Sequence, residues 1–88
     1  MVSRALNPDV RIEQVKVAAD SEYVSKSLRQ TQLRADLGVI VLAIRRVSGQ
    51  MIFNPPAEAE IGAGDYLIVM GPPAQLRKLE ALVVEKTA

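Results

Sequence analysis

VIVLAIRRVSGQMIFNPPAEAEIGAGDYLIVMG, residues 39–71, decides the fold. It contains three apolar runs separated by turn residues. The first (Val39-Ile40-Val41-Leu42-Ala43-Ile44) and the last (Tyr66-Leu67-Ile68-Val69-Met70) do not alternate polar with apolar side chains. A strand that is apolar toward both sides has to be covered on both sides. An 88-residue chain has little material for two covers, because a chain this short buries only about 60–65% of the surface that unfolding exposes. The second cover is therefore expected to be another protein surface, and the domain is expected to pair through its strands.

Elements before and after this stretch follow from local chemistry. Residues 10–17 read as a strand whose alternation breaks near Glu13. Residues 18–22 form a polar turn. Ser27-x-x-Gln30 is a capping-box pattern that starts a helix, since the serine oxygen accepts an early N–H and the glutamine reaches back. Leu28, Leu33 and Leu37 make its apolar stripe, Gly38 is placed to end it, and the imperfect spacing predicts a bend near Thr31. Beyond the 39–45 strand, Ser48-Gly49 turns the chain into a short strand over Met51-Ile52-Phe53, completing a hairpin. Asn54-Pro55-Pro56 stops it, because proline has no N–H for a ladder. Gly62-Ala63-Gly64-Asp65 turns into the last strand. Gly71-Pro72-Pro73 then opens a helix with Leu76, Leu79, Leu82 and Val83 on its core stripe. The order is β-α-β-β-β-α: an α+β domain with helices packed on a mixed sheet.

Composition narrows the function. Nearly half the chain is hydrophobic and 3% is aromatic, so the core is aliphatic. A net charge of +1 with scattered basic residues gives no reason to expect nucleic acid as a partner. No apolar run is long enough to span a bilayer. The absence of cysteine and histidine removes the usual zinc ligands and the commonest general base, and no serine, threonine or lysine stands beside an evident base. An enzyme is not expected. The carboxylate pairs Glu58/Glu60 and Asp20/Glu22 each supply only part of a cation shell. Gly62-x-Gly64 precedes a strand, so it lacks the helix terminus that a phosphate loop uses.

Two groups of residues are candidates for binding. Arg45 and Arg46 follow a buried strand, and their planar forks match phosphate oxygens two at a time. Alternatively they are solvated charges on opposite faces. Ile52, Phe53, Asn54 and Pro55 could wall a purine base, with the asparagine offering both a donor and an acceptor. Alternatively Asn54 caps the hairpin and the prolines block pairing with a neighbour.

In order along the chain, Ser27-Leu28, Leu33-Arg34, Leu37-Gly38-Val39, Ala43-Ile44-Arg45-Arg46, Asn54-Pro55, Gly64-Asp65-Tyr66-Leu67 and Gly71 resemble the C-terminal domain of RCK proteins, also called the TrkA-C domain. The likeness runs over about residues 10–84 and departs at Ser25, where glycine is common, and at the long 47–49 turn. Residues 1–9 then read as a linker or tail and 10–88 as the domain. The resemblance implies a cytoplasmic homodimer that regulates a potassium channel or transporter. It also implies an RCK N-terminal nucleotide-binding domain and a membrane pore or transporter subunit as partners in the parent protein. A small ligand would sit at the dimer interface: cyclic di-AMP in some members, a metal ion such as calcium in others. The family's pocket carries over to Ile44, Arg46, Asn54 and Pro55. Two other readings are a ligand-free dimerisation module and the regulatory domain of another cation or carboxylate transporter.

Overall fold

A computed structural model describes residues 9–84; the expected tail therefore lies outside the described residues except at Asp9. The elements run β1 (Arg11–Lys16), α1 (Leu28–Thr31), a π-helical turn α2 (Leu33–Leu37), β2 (Ile40–Arg45), β3 (Met51–Phe53), β4 (Tyr66–Gly71) and α3 (Pro73–Val83). The strand order is β1-β4-β2-β3. The last strand thus inserts between the first two, which makes both non-alternating strands interior, as their composition demands. The sheet was expected to be mixed, but every pairing is antiparallel. β1 and β2 do run the same way, yet β4 separates them and pairs antiparallel with each.

Helices cover one face only. Leu33 from α2 and Leu76, Leu79 and Val83 from α3 enter one cluster with Val15, Ile44, Leu67 and Val69. Alternation along β4 sends Leu67 and Val69 into that cluster and buries Gly71 on the same side, while Tyr66, Ile68 and Met70 are half-buried on the opposite face. Burying each such aliphatic side chain contributes about 1.5–3 kcal/mol, so this layer supplies most of the drive to fold. Leu82, expected on the core stripe, is exposed on α3, because the helix turns that position past the edge of the sheet.

The break in alternation lies in β2, not in β1. β1 pairs with β4 without interruption from Arg11↔Gly71 to Lys16↔Tyr66. In β2 the register shifts between Val41 and Ala43, leaving Leu42 as an extra residue. That bulge lets Val41 and Ile44 both face the helices although they are three apart.

The capping box forms as read: Ser27 Oγ accepts from the Gln30 N–H, and Gln30 Oε1 accepts from the Ser27 N–H. The bend expected near Thr31 is a full break one residue on. Gln32 is left-handed (φ 51°), and the chain resumes as the π turn, which Gly38 (φ 66°) ends. Tyr23 leans on the core, and burial first, then the Asp36 and Glu22 carboxylates, push its phenol above the usual tyrosine value.

Ser25 has φ 72°, and its N–H is held by the Ile61 carbonyl at 2.7 Å. A side chain in this left-handed conformation is strained, which explains why glycine suits the position. Ser25→Gly should stabilise the domain by about 0.5–1 kcal/mol, read as a higher thermal midpoint. An unchanged or lower midpoint would show that this backbone is not strained.

Candidate functional site

Three features lie outside the core: a groove at one edge of the sheet, an ion pair at its far end, and the face without helices.

The groove runs between the α1–α2 segment and the chain leaving β3. Val39 and Val41 form its floor, Leu28, Thr31 and Gln32 one wall, and Asn54, Pro55 and Ala57 the other. Its volume is about 390 Å³, within the range of small-ligand sites. Backbone hydrogen bonds pin the walls together: the Leu28 N–H donates to Ala59 O and the Arg29 N–H to Ala57 O. Arg29 bridges Glu58 at 2.8 Å with both side chains largely in water, so that pair contributes little. Arg34 lies on the rim without an ion-pair partner among the described residues. Asn54 is left-handed (φ 47°), a conformation asparagine tolerates, and its N–H donates to Leu42 O at 2.8 Å. Its amide is therefore presented at a fixed place beside Pro55. Apolar walls, two side-chain amides and one free cation suit a flat, polar-edged ligand carrying negative charge.

At the far end, Asp65 is buried under the turn into β4. Its Oδ2 accepts from Arg46 Nη1 at 2.6 Å and from the Gly62 N–H at 2.8 Å. The same Arg46 nitrogen donates to Glu60 O. The Asp65 side chain is 4% exposed and that of Arg46 is 27% exposed.

The face without helices is read from the ladders. Ile12, Met70 and Ile40 form one row, Gln14, Ile68, Ala43 and Phe53 the next, and Lys16, Tyr66, Arg45 and Met51 the last. Phe53 is 76% exposed and Ile40 42%. Two rows are mainly apolar and the third is cationic around an aromatic ring. Ile40 belongs to this face and also lines the groove.

Of the residues chosen from sequence, only Asn54 and Pro55 meet in the groove. Ile44 lies outside the groove: it is 0% exposed and packed in the core cluster. Arg46 lies away from the groove, with Nη1 of its guanidinium held by Asp65 and Glu60 O. Ile52 pairs with Ile44 and shares its side of the sheet. Phe53 and Arg45 project from the open face. Sequence reasoning missed Gln32 and Arg34 on the groove, and Lys16 and Tyr66 beside Arg45. The helical break places the first pair and the strand register the second, and neither is visible as a local pattern.

Removing the Asp65 carboxylate frees Arg46 and leaves the Gly62 N–H without its acceptor. Arg46 is partly solvated, so the full penalty for a broken buried pair does not apply. Asp65→Ala should lower stability by about 2 kcal/mol, seen as a reduced urea midpoint. An unchanged midpoint would remove this pair from any structural role.

The family model for the TrkA-C domain matches residues 12–84. "Probable potassium channel protein 2" of Methanocaldococcus jannaschii is 32% identical over 78 residues, covering 89% of this chain and 22% of that protein. The chain thus spans about a fifth of that relative. Among solved structures, the RCK_C domain dimer of S. agalactiae BusR in complex with c-di-AMP superposes with a TM-score of 0.76 at 22% identity, covering 84% of this chain and 90% of that one. The RCK C domain of the potassium transport protein KtrA in complex with cyclic diadenosine monophosphate gives 0.73 at 25% identity, with 90% and 89% covered. The first of these likenesses shows the fold alone.

Proposed function

The chain belongs to the TrkA-C domain family, and from that premise we propose that it is the dimeric, ligand-sensing part of a protein regulating a potassium channel or transporter. One observation carries the reading: the four-stranded sheet has helices on one side only, while the other side carries apolar rows in which Ile12, Ile40 and Phe53 are exposed and Ile68 and Met70 half-buried. A second copy of the chain is the occupant, because a two-fold axis matches an apolar patch with itself.

Ile40 links this face to the groove, so pairing two copies there brings both grooves to the interface. Each groove has room for one nucleotide unit. Asn54 would read the base edge, Pro55 and Leu28 would flank the ring, and Arg34 would meet phosphate. The BusR and KtrA domains, whose structures contain c-di-AMP, support cyclic di-AMP as the ligand. Of the residues proposed from sequence, Asn54 and Pro55 make the direct contacts, Ile52 and Phe53 position them, and Ile44 and Arg46 act from behind. Bound ligand would favour one angle between the subunits by its difference in affinity for the two arrangements. An RCK N-terminal nucleotide-binding domain, in the remainder of the parent protein, would pass that angle to the pore. No step here breaks or makes a covalent bond, so the domain works as a sensor and not as an enzyme.

Light scattering should give twice the chain mass. Ile68→Asp and Ile40→Asp should give folded monomers with unchanged circular dichroism, since a carboxylate at the interface has no partner. A folded monomer from the unmodified chain would overturn the dimer.

Calorimetry should find one cyclic di-AMP for each two chains. Asn54→Gly, which keeps the left-handed turn and removes the amide, should weaken binding roughly tenfold. Absence of heat with the nucleotide would leave a ligand-free dimerisation module instead.

A further inference from the structure

The last row of the open face holds more charge than the fold uses. Lys16 and Arg45 stand on either side of Tyr66, each directly opposite it in its own ladder. Strands lie about 4.8 Å apart, so the two cations start roughly 10 Å from one another. Both lean inward over the one ring: the Arg45 guanidinium carbon is 4.5 Å from the ring centre and Lys16 Nζ is 6.0 Å from it. Cation–π attraction accounts for each contact separately. It does not offset the repulsion between two like charges brought together. Neither cation has an ion-pair partner among the described residues, and Asp65, which precedes Tyr66 in the chain, is buried and already taken by Arg46 and the Gly62 N–H.

These side chains line a cavity of about 280 Å³ together with Arg46, Gly49 and Gly64. Three cations therefore border it, and one is neutralised. The two glycines bring no side chain to its mouth. Their left-handed backbones (φ 97° and 81°) are what the two turns require.

We propose that Lys16 and Arg45, held over Tyr66, form a second site that binds one oxyanion group of a small ligand, separate from the Asn54–Pro55 groove. The guanidinium fork would take two oxygens of a phosphate or carboxylate, and the ammonium a third. The Tyr66 ring fixes both cations in place beforehand, so less side-chain freedom is lost on binding. The site needs neither the groove nor its nucleotide.

The chain has two tyrosines and no tryptophan, so Tyr23→Phe leaves Tyr66 as the sole strong emitter. In that background, pyrophosphate and succinate are titrated separately at constant ionic strength, with sodium chloride as control. The expected result is a saturable change in Tyr66 emission with one or both anions. Saturation by pyrophosphate alone identifies phosphate as the ligand group, and by succinate alone carboxylate. Lys16→Gln and Arg45→Gln should each weaken it roughly tenfold or more, while Asn54→Gly leaves it unchanged. Arg45→Lys keeps the charge without the fork and should give an intermediate affinity. Lys16 is exposed, so its variant tests the site even if Arg45 variants fold poorly. A response that follows ionic strength alone overturns the proposal, as does equal saturation in the Lys16→Gln/Arg45→Gln double variant. So does emission that changes only with protein concentration, which would place another chain's acidic side chain in the cavity.

Discussion

Asp65 is the point at which three parts of the chain are tied together. Its carboxylate holds Arg46 at the end of β2, and its carbonyl accepts the N–H of Val17 just beyond β1. Its N–H closes the 62–65 turn on Gly62 O. The strand that inserts between β1 and β2 thus begins from a fixed point, with its two neighbours already positioned. Gly64 in the same turn would place a Cβ 2.9 Å from a Val47 methyl, so the hairpin end also rests against it. A carboxylate this deeply buried is tolerated because it accepts from two donors, the Gly62 N–H and an Arg46 guanidinium that also donates to Glu60 O.

Fixing the far end leaves the other end free for recognition. The groove is walled by short segments joined by main-chain bonds between residues 28–29 and 57–59 and by the exposed Arg29–Glu58 pair. Gln32 and Asn54, which both border it, are in left-handed conformations. Strained or unusual backbone gathers where side chains must be presented at set angles. The helix-free face begins at the same place, through Ile40. Ile40 therefore belongs both to the groove and to that face.

Much of this was legible in the sequence, and what was not has a physical cause. The capping box, Gly38 as helix end, the hairpin and both interior strands follow from local chemistry and hydrophobic pattern. The all-antiparallel sheet does not, because strand order depends on where the chain returns in space. The parity of Val10, Ile12, Val15 and Val17 suggested an irregular first strand, yet its two faces are both used, Ile12 to the open side and Val15 to the core. Arg46 looked like a free cation because its carboxylate lies 19 positions away. The side that Ile44 faces was not legible, because a one-residue bulge decides which way it points. Asn54-Pro55 was legible because its peculiarity is local: a left-handed turn followed by a ring that ends the ladder.

That bulge at Leu42 also bears on how such a domain can change over generations. Each residue downstream of it owes its side to the one surplus position. Straightening the strand with its residue count unchanged would carry Ile44 out to water and Ala43 and Arg45 in among the leucines, whereas losing Leu42 itself would restore simple alternation and leave Ile44 inside. A residue lost anywhere else in β2 has no such exemption, since it shifts the paired side chains on one side of it to the opposite face.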